Sequence, residues 1–324
     1  MSQERIIIGV DAYNGDSIPI NNKEVSVTER VAEAVSMVRE KNPNIELLVN
    51  YDESSLKDLA IAIKKEEIGG FFSIGDTGKV CRESIRLRRI QTKKGKIKPV
   101  LAALVATAIE EKDCIMVDAG AINDIEDSYD VYCQSLMTAS YATHFLGIKQ
   151  PKLGILCNGI EEHKGNKTVK GTHKLLKQGI KYQGLSELLD YQGKVEPETA
   201  MFGSLDILVS TDGFIGNIYL KTCEGAIKLG HYLVKQKFKK LKGMLNQGSA
   251  FLGKRAIREV GKEIREKFSP KKYNGALLLG YKGVIVKGHG ASSAEGIYGG
   301  ILRTEIFVEK DVTPKIKEDV NKYG

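Results

Sequence analysis

The sequence Ile207-Leu-Val-Ser210-Thr-Asp212-Gly-Phe-Ile-Gly216-Asn217 joins a short apolar run to a glycine-containing turn and the beginning of a helical pattern. Such a run is typical of a buried strand, and Gly213 and Gly216 permit a sharp turn with no Cβ in the way of a ligand. If a helix begins near Asn217, its free N–H groups and positive dipole end stabilise an anion at the turn. We therefore expect a phosphate site here, with Asp212 fixing the turn or orienting a lysine.

Other apolar runs extend this pattern along the chain. Helical patterns such as 28–41 and 128–145 separate most of them. Continuous apolar strands between helices are typical of a mainly parallel sheet covered by helices on both faces, which is the α/β class. The predicted strands are Ile6–Val10, Glu46–Val49, Gly70–Ser73, Cys114–Val117, Leu153–Leu156, Ile207–Val209, Ala276–Leu279 and Val284–Val286.

Several of these strands run into a turn that contains glycine together with Asp, Asn, Ser or His. In doubly wound sheets, ligands bind beyond the carboxyl ends of the strands. We therefore expect the turns to converge on one crevice. They are Asp11–Asp16, Ser73–Gly78, Asp118–Asn123, Asn158–Gly159, Asp212–Gly213 and His289–Gly290.

Composition excludes several classes of protein. The chain has 324 residues, and none of its apolar runs approaches the roughly 20 residues that a membrane-spanning helix needs. Because the beginning of the chain leads directly into a strand, no signal peptide is expected, and we predict a soluble, cytoplasmic protein. The five cysteines form no Cys-x-x-Cys pair, and no histidine lies beside them at metal-ligand spacing. We therefore expect no metal site, and small buried thiols in a reducing compartment.

The polar turns, taken in order, resemble those of the PlsX family of acyl-carrier-protein:phosphate acyltransferases. The resemblance spans roughly residues 5–300, and its most specific parts are Asn158–Asn166 and Asp212–Gly225. The remaining matching segments are Asp11–Asp16, Gly75–Gly78, Asp118–Gly120 and Lys287–Ser292. The resemblance implies one Rossmann-like domain over residues 1–324, related to the isopropylmalate-dehydrogenase type and usually dimeric.

The same resemblance implies transfer of a fatty acyl group from acyl carrier protein to inorganic phosphate, for phospholipid synthesis. Such a site needs cations, backbone N–H groups and a donor for the developing oxyanion, and the reaction calls for no cofactor. The implied catalytic residues are Lys164, Asn217 and His289. The implied phosphate-binding residues are Asn166, Asp212, Gly213, Gly216, Lys221, Gly75, Thr77 and Gly78.

Some residues depart from the family pattern. The family usually has Gly-Asn-Thr-Gly-Ala where this chain has Gly75-Asp76-Thr77-Gly78-Lys79. An extra carboxylate at Asp76 repels phosphate unless a cation such as Lys79 compensates. Two alternatives therefore stay open. One is a short-chain (acetyl) phosphate acyltransferase subunit of an amino-acid reductase complex, for which a cysteine such as Cys223 is a candidate nucleophile. The other is a non-catalytic phosphate- or acyl-binding relative. A dehydrogenase is disfavoured because no Gly-x-Gly-x-x-Gly follows the first strand.

Positive charge is concentrated in residues 231–268. This segment contains 11 lysines and arginines against three aspartates and glutamates, an excess equal to the formal net charge of +8 of the whole chain. Its apolar residues recur at helical spacing on both sides of Gly248, which predicts a protruding pair of basic amphipathic helices. Such a pair suits an anionic membrane surface or the acidic carrier protein, although a solvated basic face remains an alternative. Nucleic acid is not expected as a partner, since no known binding motif accompanies the charge.

Overall fold

The computed structural model describes residues 6–20, 23–92, 95–109, 112–242, 259, 262 and 275–324. The strands in these ranges are β1 (Ile7–Asp11), β2 (Ile18–Ile20), β3 (Lys23–Val25), β4 (Glu46–Asn50), β5 (Gly70–Ser73), β6 (Gln91–Thr92), β7 (Gly95–Lys96), β8 (Val100–Ala106), β9 (Asp113–Val117), β10 (Lys152–Leu156), β11 (Asp190–Val195), β12 (Ile207–Val209), β13 (Ala276–Leu279) and β14 (Val284–Lys287). The helices are α1 (Val27–Lys41), α2 (Ser55–Lys64), α3 (Thr77–Ser84), α4 (Ser128–Phe145), α5 (Lys167–Tyr182), α6 (Pro197–Met201), α7 (Gly213–Lys242), α8 (Ala294–Glu309) and α9 (Val312–Tyr323), with a 3-10 turn at Leu185–Glu187.

Ten strands form one sheet in the order β11-β10-β12-β9-β8-β13-β14-β5-β1-β4. Within it, β4, β1, β5 and β14 are parallel to one another, and so are β9, β12, β10 and β11. Between these two parallel blocks, β14 pairs antiparallel with β13, β13 with β8, and β8 with β9. Three reversals separate the blocks, so the blocks run in opposite directions.

The strands alternate their side chains between the two faces of the sheet. Phe72 and Val117 lie in a core shared with α1, α4, α5, α8 and α9. Their neighbours point the other way, since Phe71 packs with α2 and α3 and Met116 lies in the core beneath α6 and α7. The predicted α/β class with helices on both faces is confirmed.

Local signals explain where the two predicted helices begin. Ser26 and Glu29 form a reciprocal capping box at the start of α1. The Asp127 carboxylate accepts a hydrogen bond of 2.9 Å from the Tyr129 N–H at the start of α4. The two helices begin at Val27 and Ser128, within one residue of the predicted starts.

All eight predicted strands are present, but the sequence prediction missed two strands of the main sheet. β8 contains three alanines, and alanine favours helix, so its pattern does not distinguish strand from helix. β11 lies at the edge of the sheet, where polar residues and Gly193 remove the apolar signal. These strands matter because β8 helps to reverse the direction between the blocks and β11 flanks the Asn158–Asn166 turn.

Helix α7 corrects the sequence prediction at both ends. It begins at Gly213, four residues before the predicted start at Asn217. It also continues without a break to Lys242, so the first twelve residues of the predicted basic pair extend α7. The predicted break near Gly248 and the second basic helix lie outside the described residues. No helix in the described part of the chain is long and apolar enough to cross a membrane.

Candidate active site

The polar turns lie at two edges of the sheet rather than at one. Since β9, β12 and β10 are parallel and in register, the turns beginning at Asp118, Asp212 and Asn158 follow them at the same edge. Since β1, β5 and β14 run in the opposite direction, the turns beginning at Asp11 and Ser73 and the turn around His289 lie at the other edge. The turns after β5, β9 and β14 still come within electrostatic range of one another, since Asp76, Asp118 and Lys287 all act on the pKa of Cys81. The convergence of all the turns on one crevice stays a prediction.

Three N–H groups at the beginning of α7 have partners within the chain. The Gly213 N–H donates to the Ile122 carbonyl at 2.7 Å, the Ile215 N–H to Asp212 Oδ1 at 2.8 Å and the Gly216 N–H to the Asp212 carbonyl at 3.1 Å. Asp212 thus caps the helix, as its predicted turn-fixing role implies. Asp212 and the 118–122 turn therefore engage part of this helix start, and phosphate binding by its N–H groups stays a prediction.

Gly213 and Gly216 are needed here for close packing. A Cβ at Gly213 would lie 2.8 Å from the Gly120 Cα, and a Cβ at Gly216 would lie 1.8 Å from the Asp118 carbonyl oxygen. The first turn of α7 therefore rests directly on the backbone of the 118–122 turn. Protein backbone, rather than a ligand, occupies the space that these glycines leave open.

A buried carboxylate holds that turn in place. Asp118 is 0% exposed, and its oxygens accept hydrogen bonds from the backbone N–H groups of Leu101, Gly120, Ala121 and Ile122 at 2.9–3.1 Å. Burial raises the Asp118 pKa, whereas these four donors lower it. Asn217 lies above this turn, since a Cβ on Gly120 would lie 3.7 Å from the Asn217 Cβ. The side chain of Asn217 is exposed.

The opposite edge is organised by Asp11. Its Oδ2 accepts from the Ser73 hydroxyl at 2.6 Å, and its Oδ1 accepts from the Asn14 side-chain amide at 3.1 Å. The Ser73 hydroxyl in turn accepts from the Gly75 N–H at 2.9 Å. A side chain at Gly75 would collide with Asn14, whose Cβ would lie 2.7 Å away. This network fixes the turn that leads into α3.

Asp76 caps α3 and faces a cation other than the predicted one. Its Oδ1 accepts from the Lys79 backbone N–H at 3.0 Å, so Lys79 contributes a main-chain group here. Asp76 raises the pKa of Lys287, which identifies the Lys287 ammonium as a cation within electrostatic range of this carboxylate. Thr77 and Gly78 form the first turn of α3 beside this pair.

Lys287 is a site residue that the sequence analysis did not single out. It ends β14, and its ammonium donates to the Gly288 carbonyl. Burial and, to a smaller extent, the nearby Lys221 lower its pKa to about 8, although Asp76 and Asp16 act in the opposite direction. The sequence signal was the Lys-Gly-His-Gly segment, in which the lysine lies two residues before His289.

His289 is held as a neutral ring in one tautomer. Its Nδ1 accepts from the Ala291 N–H at 3.1 Å, which assigns the ring proton to Nε2. Burial lowers the His289 pKa first, and the charge of Lys221 lowers it further. A neutral imidazole with an Nε2–H group is a hydrogen-bond donor at pH 7.

Arg30 fixes the backbone around His289. This buried side chain donates to the carbonyl oxygens of Asp16 and Ser292, and to that of Gly290 at 3.3 Å. It thereby joins the turn after β1 to the turn after β14. The position of His289 depends on this clamp, because Gly290 directly follows it.

One face of α7 connects the two edges of the sheet. Asn217 lies on this helix above the 118–122 turn, and Lys221 lies one turn further along. Lys221 pairs with Glu224 at 3.2 Å, and both charges act on the pKa of His289. Lys221 and His289 are therefore brought within electrostatic range of Lys287, and Asn217 lies one helical turn before Lys221 on α7.

Lys164 and Asn166 lie far from Lys287 and His289 in the fold. They follow β10, which is five strand positions from β14, or about 24 Å at the usual strand spacing. The Asn166 side-chain oxygen caps α5 by accepting from the Val169 N–H at 2.8 Å. The 161–164 turn is held by Lys194, which is 6% exposed and whose ammonium donates to the carbonyls of Glu161, Glu162 and Lys164. β10 is only two strand positions from β9, so this turn lies at the same sheet edge as Asn217.

The cysteines do not supply an activated thiol. All five are free, and four of them are buried. Burial raises the pKa of Cys81 to about 12 and also raises that of Cys223. Both thiols therefore stay protonated at neutral pH, which argues against a nucleophilic role for Cys223. No group of three or more metal-ligating side chains occurs among the described residues.

Comparison with known proteins gives consistent matches over almost the whole chain. A family model described as "Fatty acid synthesis protein" matches residues 16–315. A protein named phosphate acyltransferase from Thermosipho melanesiensis is 30% identical, with 99% of this chain and 90% of that protein covered. A protein of the same name from Halothermothrix orenii shows the same identity and coverage.

Solved structures resemble the fold. A phosphotransacetylase from Streptococcus pyogenes superposes with a TM-score of 0.55 at 15% identity and covers 95% of this chain and 94% of its own. A branched-chain phosphotransacylase from Enterococcus faecalis V583 superposes with a TM-score of 0.52 at 13% identity and covers 95% of this chain and 99% of its own. At this identity the likeness concerns the fold alone.

Proposed function

The chain belongs to the fatty acid synthesis protein family and is a phosphate acyltransferase, and from this premise we propose that it moves a fatty acyl group from acyl carrier protein to inorganic phosphate. The observation that carries the proposal is the cluster formed by Lys221, Lys287 and the neutral His289. Two cations beside a neutral hydrogen-bond donor suit a reaction in which a phosphate dianion attacks a neutral thioester.

Phosphate binds between the two cations in this proposal. The ammonium groups of Lys221 and Lys287 neutralise the dianion, and the first turn of α3 at Thr77 and Gly78 supplies backbone N–H groups. Asp76 repels phosphate, and its charge is offset by Lys287. Asn217, one turn before Lys221 on α7, donates through its side-chain amide.

Direct attack by phosphate then completes the transfer. A phosphate oxygen forms a bond to the thioester carbonyl carbon, and the carbonyl oxygen gains negative charge that the His289 Nε2–H stabilises. The carbon–sulfur bond breaks, and the thiolate leaves and takes up a proton. The products are acyl phosphate and the free thiol of the carrier, so the protein forms no covalent acyl intermediate.

Apolar surface beside Asn217 favours a long acyl chain over acetyl. Phe214 and Ile218 lie on α7 at positions four apart, and they are 60% and 51% exposed. Side chains four apart share one face of a helix. A long acyl chain would bury this apolar surface, whereas an acetyl group is too small to cover it.

The direct test is thiol release in the presence of phosphate. We expect rapid, phosphate-dependent release from palmitoyl-acyl carrier protein and slow release from acetyl thioesters. Faster release from acetyl donors would support the short-chain alternative, and no release from either donor would support the non-catalytic relative.

We also propose that α7 brings the protein to an anionic membrane surface at the cytoplasmic side and that the protein forms a homodimer. Leu229, Tyr232 and Leu233 are each more than half exposed where α7 approaches the basic segment. Sedimentation with phosphatidylglycerol vesicles should exceed sedimentation with phosphatidylcholine vesicles, and equal binding to both would contradict the membrane proposal.

Light scattering of the protein as it elutes from a size-exclusion column measures the oligomeric state, and a monomer mass would contradict the dimer.

A further inference from the structure

Helix α5 carries a second basic surface, which the whole-chain charge balance hides. Residues 164–182 contain six lysines and no aspartate or glutamate. Five of these lysines are exposed on α5, and the last four follow one another at spacings of four, three and four residues, which places them on one face of the helix. We call this surface the α5 basic face, and it consists of Lys170, Lys174, Lys177 and Lys181.

The α5 basic face borders an open groove of about 550 Å³. One acidic residue lines it, Glu162, which pairs with Lys177 at 3.3 Å through two exposed side chains. The pKa of His173, which also lines the groove, is lowered by burial and by Lys177. The groove therefore keeps a strong positive charge.

Helix stability gives no reason for this arrangement. Lys167 and Lys170 lie in the first turn of α5, where the helix dipole disfavours cations, and the first turn has no acidic residue. Lysines four apart repel each other by a few tenths of a kcal/mol per pair. The charges cost stability in the free protein, which is the expected signature of a surface arranged for an anionic partner.

The shape of the charged surface selects the kind of partner. Lys181 follows Lys170 by eleven positions, so the stripe is about 16 Å long at the helical rise per residue. A small phosphorylated ligand would need cations that converge on one point, whereas these lysines form a row. A row of this length matches the acidic face of a helix in a partner protein.

The position of the α5 basic face fits the delivery of a substrate. The helix follows the 161–164 turn after β10, which Lys194 fixes to β11. That turn lies at the same sheet edge as Asn217, two strand positions or about 10 Å from β9. A partner on this face would therefore lie near the sheet edge that carries Asn217.

We propose that the α5 basic face is the docking surface for the acidic carrier protein that delivers the acyl thioester. This inference rests on the proposed function, because it takes the carrier-bound thioester as the donor. The lysines bind carboxylates of the carrier, and the flexible thiol arm of the carrier reaches the active site from the side of Asn217.

The test is a charge reversal, Lys174→Glu with Lys181→Glu, in the full-length protein. The matched control is Lys57→Glu with Lys64→Glu, which reverses two exposed lysines with the same spacing of seven on α2. We expect the KM for palmitoyl-acyl carrier protein to rise about tenfold or more in the α5 variant only, with kcat and the KM for phosphate unchanged. The KM for a palmitoyl thioester of a small soluble thiol should stay at the wild-type value, and circular dichroism should show the wild-type fold.

Distinct outcomes would overturn the inference. An unchanged KM for the carrier-bound donor would place docking elsewhere while leaving the proposed function intact. An equal rise with the small thioester would show damage to the active site rather than to docking. Loss of binding to phosphatidylglycerol vesicles without any change in the KM for the carrier-bound donor would assign the surface to lipid. If the wild-type protein releases no thiol from the carrier-bound donor, the proposed function itself fails.

Discussion

His289 shows how a single hydrogen bond defines a chemical role. The Ala291 N–H occupies Nδ1, so the ring proton lies on Nε2, and burial together with Lys221 keeps the ring neutral. The family resemblance implied a role for this histidine, which lies between glycines after a strand. Its tautomer could not be predicted, because it depends on the path of the backbone through Ala291.

Replacement of His289 tests its role as the oxyanion donor. We expect His289→Ala to lower kcat about 100-fold or more with little change in the KM for phosphate, since the interaction forms in the transition state. Steady-state kinetics and a thermal melt measure this. A variant that melts like the wild-type protein and turns over at the wild-type rate would remove His289 from the mechanism.

Lys287 introduces a pH dependence. Its pKa of about 8 means that the ammonium is present below that pH and is lost as the pH rises through it. We therefore expect kcat/KM for phosphate to fall above about pH 8. Lys287→Arg should move this fall to higher pH, because the guanidinium stays protonated. The titration of phosphate itself is common to both enzymes, so superimposable pH profiles would contradict the role of Lys287.

At the scale of elements, α7 illustrates a pattern that was recognised with the wrong physical cause. The Asp-Gly-Phe-Ile-Gly motif was correctly interpreted as a turn and helix start, but its glycines make room for the 118–122 turn. A single sequence cannot distinguish these causes, because the packing partner is nearly 100 residues away. Likewise, β8 and β11 were missed because alanine content and edge polarity mask a strand pattern.

Alanine substitutions at two glycines of α7 distinguish the effect of close packing from the effect of helix propensity. Gly216→Ala should destabilise the protein by about 1–3 kcal/mol, because its Cβ would collide with the Asp118 carbonyl. Gly225→Ala should stabilise it by about 0.5–1 kcal/mol, since no atom of the described residues lies within 4 Å of the added methyl and alanine favours helix. Urea unfolding of both variants measures this. Equal free energies of unfolding for the two variants would show that the helix start is not tightly packed.

At the scale of the whole molecule, the opposed directions of the two blocks determine the site. The sequence analysis expected all the polar turns to meet, because short apolar runs reveal strands but not their directions. Direction depends on β8 and β13, whose antiparallel pairing is a long-range property. The structure instead joins the two edges through α7, which brings Lys221 from one block towards Lys287 and His289 from the other. The catalytic role of Lys164 and the phosphate-binding role of Asn166 stay predictions, since these residues lie at the edge near Asn217.

The central claim is that Lys221 and Lys287, from opposite blocks, bind the same phosphate. The most direct measurement is the KM for phosphate in Lys221→Met, in Lys287→Met and in the double variant, with palmitoyl-acyl carrier protein as donor. We expect each single variant to raise this KM about tenfold. The increase in the double variant should differ clearly from the product of the two single increases, because two charges on one ligand are coupled. Wild-type values in both single variants, or a double variant equal to the product, would contradict the claim.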